Sequence, residues 1–294
     1  MYTVQCEIPE SLADELEALL CENVRSSWSL HQDKVGQPFK LKGFFEEDGE
    51  AETAYAELRA DCKTLPENPE FGSIEDREWK EAYKAFIKPW DHKGLHWVPA
   101  WQRETYVVPA DEVAVYLDAG LAFGTGSHET TRLMARRLID FRAEKGNAFS
   151  SQNIIDAGCG SGILAISAQK LGAHHLYGFD RDPEAIRVSN ENIVFNDLPA
   201  NSIPFEEGGI EQCLGNRTAD LILANIQADV LKIHAESFIE STNKDGTLAL
   251  SGILARELDE VRECFDAIAK AQWDAFKIDT RTDGEWSDLV LFRK

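Results

Sequence analysis

The feature that most constrains the fold is a glycine-rich turn, "NIIDAGCGSGILAISAQKLG", residues 153–172, set at the head of a strictly alternating pattern. An apolar run ends in Asp156. Gly158, Gly160 and Gly162 follow at every second position, and an apolar helix pattern starts at once. Downstream come strand "HLYGFD", helix "DPEAIRVSNENIVFN", a short strand near "SIPFEE", strand "ADLILANI" and helix "DVLKIHAESFIE". Strand "TLALSGIL", helix "ARELDEVRECFDAIAK" and strands "DAFKIDT" and "SDLVLFRK" complete the series. Alternating strands and helices with continuously apolar strands predict a mostly parallel sheet covered on both faces. The last two strands, with no helix between them, predict an antiparallel hairpin at the sheet edge.

Ligands of such open sheets bind beyond the carboxyl ends of the strands, and the first strand–helix turn is the usual place. The glycine spacing separates the candidate cofactors. A dinucleotide turn needs G-x-G-x-x-G, but the residue three after Gly160 is Ile163. The chain offers D-x-G-x-G-x-G instead, the pattern of class I S-adenosyl-L-methionine (SAM) methyltransferases. Asp180, at the end of the second strand, can accept hydrogen bonds from both ribose hydroxyls. Asp182 reads as the N-cap of the next helix, with Pro183 in its first turn. Asn225 ends the fourth strand, where a side-chain oxygen can hold an acceptor amine.

A second glycine loop, "LAFGTGSHETT", residues 121–131, precedes the helix that leads into the sheet. Gly124 and Gly126 allow close backbone approach to a ligand, and Ser127 can cap the helix behind them.

The first 63 residues carry their own pattern of strand, helix, two strands and helix, most of a ferredoxin-like α+β unit. "KTLPENPEFGS" reads as a linker, and "SIEDREWKEAYKAF" as a helix ending before Pro89. The expected division is 1–63 for a substrate-recognition domain, 64–90 for a linker and connecting helix, and 91–294 for a catalytic domain.

The charge is lopsided, with 30 basic against 52 acidic residues and a net −22. That argues against a nucleic-acid binder, which needs a basic footprint, and suits a basic protein partner. The N-terminus has no basic and apolar signal pattern, and no run of eighteen apolar residues predicts a membrane span. The six cysteines form no C-x-x-C pair and read as reduced thiols of a cytoplasmic protein. His92 and His96 have helical spacing, but Gly94 between them predicts a loop, and no metal is expected.

The order of "LDAGLAFGTGSHETTR", "IIDAGCGSGILAISAQKLGA", "GFDRDPEAI", "ANI" and "LSGIL" resembles the PrmA family, methyltransferases of large-subunit ribosomal protein eleven. "REWKEAYKAFIKP" and "GEWSDLVLFRK" are similar to that family as well, so the likeness covers roughly residues 75–294. Ala119, Ser127 and Glu129 stand where the family has Pro, Thr and Pro. The resemblance implies a class I SAM methyltransferase domain with a Rossmann-like, mostly parallel seven-stranded sheet. It implies cofactor contacts at Thr131, Gly158, Asp180 and Asn225, with Phe123, Gly124, Thr125 and Gly160 in the two loops. It implies methylation of lysine side chains, and of the N-terminal amine, on a basic ribosomal protein met free or on the ribosome. A SAM enzyme for another lysine-bearing protein or a small molecule is the alternative; a non-catalytic SAM-binding module fits less well with Asp180, Asn225 and the first loop intact. His128, Asp229 and His234 are the nearby titratable groups, and Asn225 orients the amine without acting as a base.

Overall fold

The computed structural model describes residues 2–9, 12–13, 16, 28–31, 38–45, 49–73, 88–117, 128–215 and 217–294. The chain divides into two compact units, 1–86 and 87–294.

The first unit holds strands β1 (Tyr2–Ile8), β2 (Trp28–His31), β3 (Phe39–Phe45) and β4 (Glu70–Ser73), with helix α1 (Glu50–Asp61). The sheet order is β2-β3-β1-β4, and every pair is antiparallel. Val4 and Ile8 on β1 and Leu41 and Phe45 on β3 share the buried face, as a period of two requires. Leu12, Ala13 and Leu16 are helical and buried, and α1 covers the core with Ala51, Tyr55 and Leu58. This is the ferredoxin-like order, completed by a strand in the segment read as a linker. β4 pairs with β1 from Tyr2↔Ser73 to Gln5↔Glu70, the Tyr55 hydroxyl donates to Pro66 O (2.7 Å), and Leu65 is buried. The expected boundary at 63 is therefore too early, because prolines and polar residues mask a strand too short to show a period. The helix expected over 73–86 lies outside the described residues apart from Ser73, which ends β4.

The second unit opens with β5 (Trp90–His92), β6 (Leu95–Pro99) and β7 (Val113–Leu117), a three-stranded sheet in which β6 and β7 run parallel. His92 and His96 thus lie on strands. The His96 ring is held between the Tyr106 hydroxyl and the Glu112 carboxylate.

Helix α2 (Glu129–Lys145) then enters the main body. β8 (Asn153–Ala157), α3 (Ile163–Lys170), β9 (His175–Asp180), α4 (Pro183–Phe195), β10 (Phe205–Glu207) and α5 (Ile210–Leu214) follow. β11 (Ala219–Asn225), α6 (Ala228–Ile233), α7 (Ala235–Glu240), β12 (Thr242–Leu254), α8 (Leu258–Gln272), β13 (Phe276–Asp283) and β14 (Trp286–Arg293) complete the chain. The seven strands run in the order β10-β9-β8-β11-β12-β14-β13. All neighbours are parallel except those of β14, which is antiparallel to both β12 and β13. The predicted edge hairpin is present, with the antiparallel strand on its inner side.

Alternate residues of β11 serve the two layers. Leu221 and Leu223 face the core with α2 and α3, while Ile222 and Ala224 face the core beneath α5 to α8. Two buried faces explain why the strand reads as unbroken apolar sequence. Strand order reverses between β8 and β11, so their carboxyl ends border the crevice where such sheets take ligands.

Candidate active site

Asp156 sits one residue before the end of β8, 2% exposed, and its carboxylate accepts the Ala165 N–H (3.0 Å) from the first turn of α3. Burial pushes its acid up to about 7; the helix hydrogen bond opposes that shift and the nearby Asp180 charge adds to it. The turn after β8 needs left-handed backbone at Gly158 (φ 68°) and Gly162 (φ 75°). Space forbids side chains there too: a Cβ on Gly158 would lie 2.5 Å from Ile226 Cγ2, and one on Gly162 2.9 Å from Ser189 Cβ. Cys159 is buried, and that burial pushes its thiol well above the ordinary range, so it is no nucleophile.

Asp180 closes β9. Its Oδ2 accepts the Gly160 N–H (2.9 Å) and its Oδ1 the Asp182 N–H (3.0 Å). Each oxygen keeps a lone pair for a further donor. Asp182 caps α4 by accepting from Glu184 N (2.9 Å), with Pro183 in the first turn, as the sequence predicts.

Asn225 closes β11 beside Asp156's strand. Its Nδ2 points at the buried Thr131 Oγ1, 3.5 Å away. Its Oδ1 is buried and accepts no hydrogen bond among the described residues. A buried acceptor left without a donor costs about 1–3 kcal/mol, so this oxygen is a candidate to receive one from a ligand.

A cavity of about 820 Å³ joins these groups at the carboxyl edge. Gly158, Asp180 and Asn225 line it directly. Gly160 serves it from behind, through its bond to Asp180. Thr131 meets it through Asn225, whereas its neighbour Thr130 lines it. Phe123, Gly124 and Thr125, with Gly126 and Ser127, lie outside the described residues. The observed N-cap of α2 is His128: its Nδ1 accepts from Thr130 N (3.3 Å) and lies 2.8 Å from Thr130 Oγ1. Asp229, on α6, does not line the cavity.

Several lining residues escape sequence reasoning. Trp286 begins β14, and because that strand is antiparallel its start stands at the carboxyl edge, against the His128 ring (5.2 Å between centroids). Ile226 lines the cavity against Gly252, and Glu211 reaches it from α5, while His234, already a candidate in the sequence, reaches it from the junction of α6 and α7. No local pattern marks Trp286, Ile226 or Glu211.

An 820 Å³ cavity, an acidic residue at the second strand end, a side-chain-free turn and an orphaned acceptor fit an adenosine carrying an amino-acid tail. The family model of the ribosomal protein L11 methyltransferase (PrmA) family matches residues 10–294. The ribosomal protein L11 methyltransferase of Pelobacter propionicus is 32% identical over 309 residues, covering 99% of this chain and 96% of that one. The protein of the same name from Clostridium botulinum (strain Alaska E43 / Type E3) is 32% identical, covering 85% and 78%. The crystal structure of the ribosomal protein L11 methylase of Lactobacillus delbrueckii subsp. bulgaricus is 30% identical, with a TM-score of 0.59 over 69% of this chain and 96% of that one. A site built for SAM on a class I sheet and a match along nearly the whole chain agree: this chain belongs to the ribosomal protein L11 methyltransferase family and is a SAM-dependent methyltransferase.

Proposed function

We propose that this enzyme transfers methyl groups from SAM to amines of ribosomal protein L11, chiefly lysine side chains. The observation that carries the reading is Asn225 on the cavity wall, with an Oδ1 that accepts no hydrogen bond among the described residues. SAM, when bound, supplies a methyl group already activated on a sulfonium. Asp180 would hold the ribose, and the turn at Gly158 would take the nucleoside and the start of the tail.

What remains for the chain is approach, orientation and dehydration of the amine. A lysine has an ordinary pKa of ~10.4, so only about one in 2,500 is neutral at pH 7. Apolar surroundings would lower the cost of losing the proton. Asn225 Oδ1 can then accept an N–H of the neutral amine and aim its lone pair without itself becoming charged. His128 is poorly placed as a base through Nδ1, which already caps α2.

The first unit, with residues 64–73 included, is proposed to recruit the substrate, and the second to methylate it. A net charge of −22 favours a basic protein, free or on the ribosome, over direct contact with nucleic acid. A cytoplasmic location is in keeping with this substrate, and no helix among the described residues is long and apolar enough to cross a membrane.

Incubating the protein with labelled SAM and ribosomal subunits from a strain lacking it should label L11. Label in another protein, or in a small molecule alone, would overturn the reading. In single-turnover methylation at saturating SAM and substrate, Asn225→Ala should be slowed far more than its SAM affinity falls. Normal turnover would leave Asn225 a cofactor contact only.

A further inference from the structure

β13 closes one side of the seven-stranded sheet, and among the described residues only β14 pairs with it. It is eight residues long, holds neither proline nor glycine, and pairs with β14 without a break from Phe276↔Arg293 to Asp283↔Trp286. An edge of that length is open to a further strand unless something blunts it. Two observations fix which way its backbone faces. Lys294 N–H donates to Ala275 O (2.9 Å), and the turn at Gly284 and Glu285 closes on the Asp283↔Trp286 pair. Residues 275, 277, 279, 281 and 283 therefore turn their amides to β14, and Ile278, Thr280 and Thr282 turn theirs outward. The Arg281 N–H agrees, reaching Asp288 Oδ1 on β14 (2.7 Å).

The side chains of Lys277, Asp279, Arg281 and Asp283 share one face by the same alternation. It is the face that carries α2: Asp279 pairs with Arg137 (2.6 Å), Arg281 with Asp140 (2.7 Å) and Asp283 with Arg136 (3.2 Å). About Thr280 the charges are opposite at equal distances along the strand, Asp279 against Arg281 and Lys277 against Asp283. Charges that served only to repel another edge would need no such order.

We propose that β13 is the interface of a homodimer, pairing antiparallel with β13 of a second copy about a two-fold axis at Thr280. In that register Thr280 faces Thr280 and Ile278 faces Thr282, and these outward-turned residues exchange their N–H···O bonds. Asp279 then lies opposite Arg281 of the other copy, and Lys277 opposite Asp283, at the positions without backbone bonds. Side chains across an antiparallel ladder come closest there, with Cα atoms about 4.5 Å apart. Sliding by two residues one way sets Asp279 against Asp283 and Arg281 against itself. Sliding the other way sets Lys277 against Arg281 and Asp279 against itself, so the charges select one register. The bonds to α2 survive: Arg137 takes Asp279 Oδ2 and Asp140 takes Arg281 Nη2, which leaves each side chain another polar atom. Asp279 and Arg281 are also 43% and 38% exposed, within reach of a second copy.

The test is sedimentation velocity on the full chain. The wild type should associate reversibly with a dissociation constant of about 1–100 μM, as suits a small, polar interface. Lys277→Glu and Asp283→Lys each place like charges opposite one another in their own dimer, so each should weaken association about tenfold or more. Mixed one to one, the two variants should recover most of it, because every pair between them is again of opposite sign. Thr280→Pro removes a donor from the outward edge and none from the β14 ladder, and should abolish the dimer while the circular dichroism of the fold persists. Asp283 also holds Arg136; should Asp283→Lys fail to fold, Lys277→Glu and Thr280→Pro decide alone. A wild type that stays monomeric to about 1 mM, a dimer indifferent to Lys277→Glu and Thr280→Pro, or folded variants whose mixture associates no better than either alone overturns the proposal.

Discussion

Replacing Gly252 by alanine should disable turnover at a distance from any ligand. Gly252 lies in β12 at φ +85°, within the irregular register between Leu250 and Ile253 where β12 pairs with β14. An added Cβ would fall 2.3 Å from Ile226 O and 2.7 Å from Ile226 C. Ordinary contact begins near 3.4 Å, so the peptide that follows Asn225 must retreat by about 1 Å. Left-handed backbone alone costs a non-glycine residue ~1–2 kcal/mol. Displacing the peptide also strains the Ile226 N–H bond to Ser251 O (3.1 Å), worth about 1 kcal/mol. The expected loss of stability is thus about 2–3 kcal/mol. Because Asn225 would move with its neighbour, turnover should fall about a hundredfold, the typical cost of a ~1 Å misplacement. Gly172→Ala is the control: its φ is +102°, but nothing lies within 4 Å of the added methyl, so strain acts without displacement. Denaturant unfolding and single-turnover methylation at saturating SAM would be measured on both variants. Equal turnover in the two would refute the claim that β12 sets the position of Asn225.

Three further outcomes follow from the same geometry. Asp180→Ala should weaken SAM binding by about 1.5–3 kcal/mol by calorimetry, and Asp180→Asn by less, because one oxygen can still accept from Gly160; unchanged affinity in the alanine variant would place the ribose elsewhere. Asp156 titrates at about 7 when folded against an ordinary 3.8, so the folded state holds the proton more tightly than the unfolded chain. Its contribution to stability therefore declines as pH rises from about 4 to about 7 and is flat above, and Asp156→Asn should remove that slope from the pH profile of denaturant unfolding. Arg137, buried on α2, forms two bonds with Asp288 (2.8 and 2.7 Å), which is itself fully buried. Arg137→Met should cost about 3–5 kcal/mol by leaving that carboxylate uncompensated, and adding Asp288→Leu should recover part of the loss in the same assay.

The parts of the site legible in the sequence are those made by neighbours along the chain. The glycines after β8, Asp180 at a strand end, and the Asp182–Pro183 start of α4 are fixed by backbone dihedrals and capping, which act over a few residues. Alternation of apolar strands and helices likewise settled the parallel sheet, because burial on both faces leaves its mark on each strand separately. The fourth strand of the first unit was not legible: Glu70–Ser73 is four residues long, and its one large apolar side chain, Phe71, is 46% exposed. The break at His234 was hidden as well, since residues on both sides of it suit a helix.

Tertiary structure decided which distant residues meet. Trp286 reaches the carboxyl edge only because β14 runs against its neighbours, and a strand's direction in a sheet is not written in its own residues. Gly252 presses on Ile226 because β11 and β12 pair in one register, Asn225 against Ser251. Glu211 and His234 converge because the chain reaches one end of the cavity from β10 and again from β11. The orphaned Asn225 Oδ1 is of the same kind: a strand-ending asparagine is a common sight in a sequence, and only the packing around it shows that nothing described in the chain satisfies its oxygen.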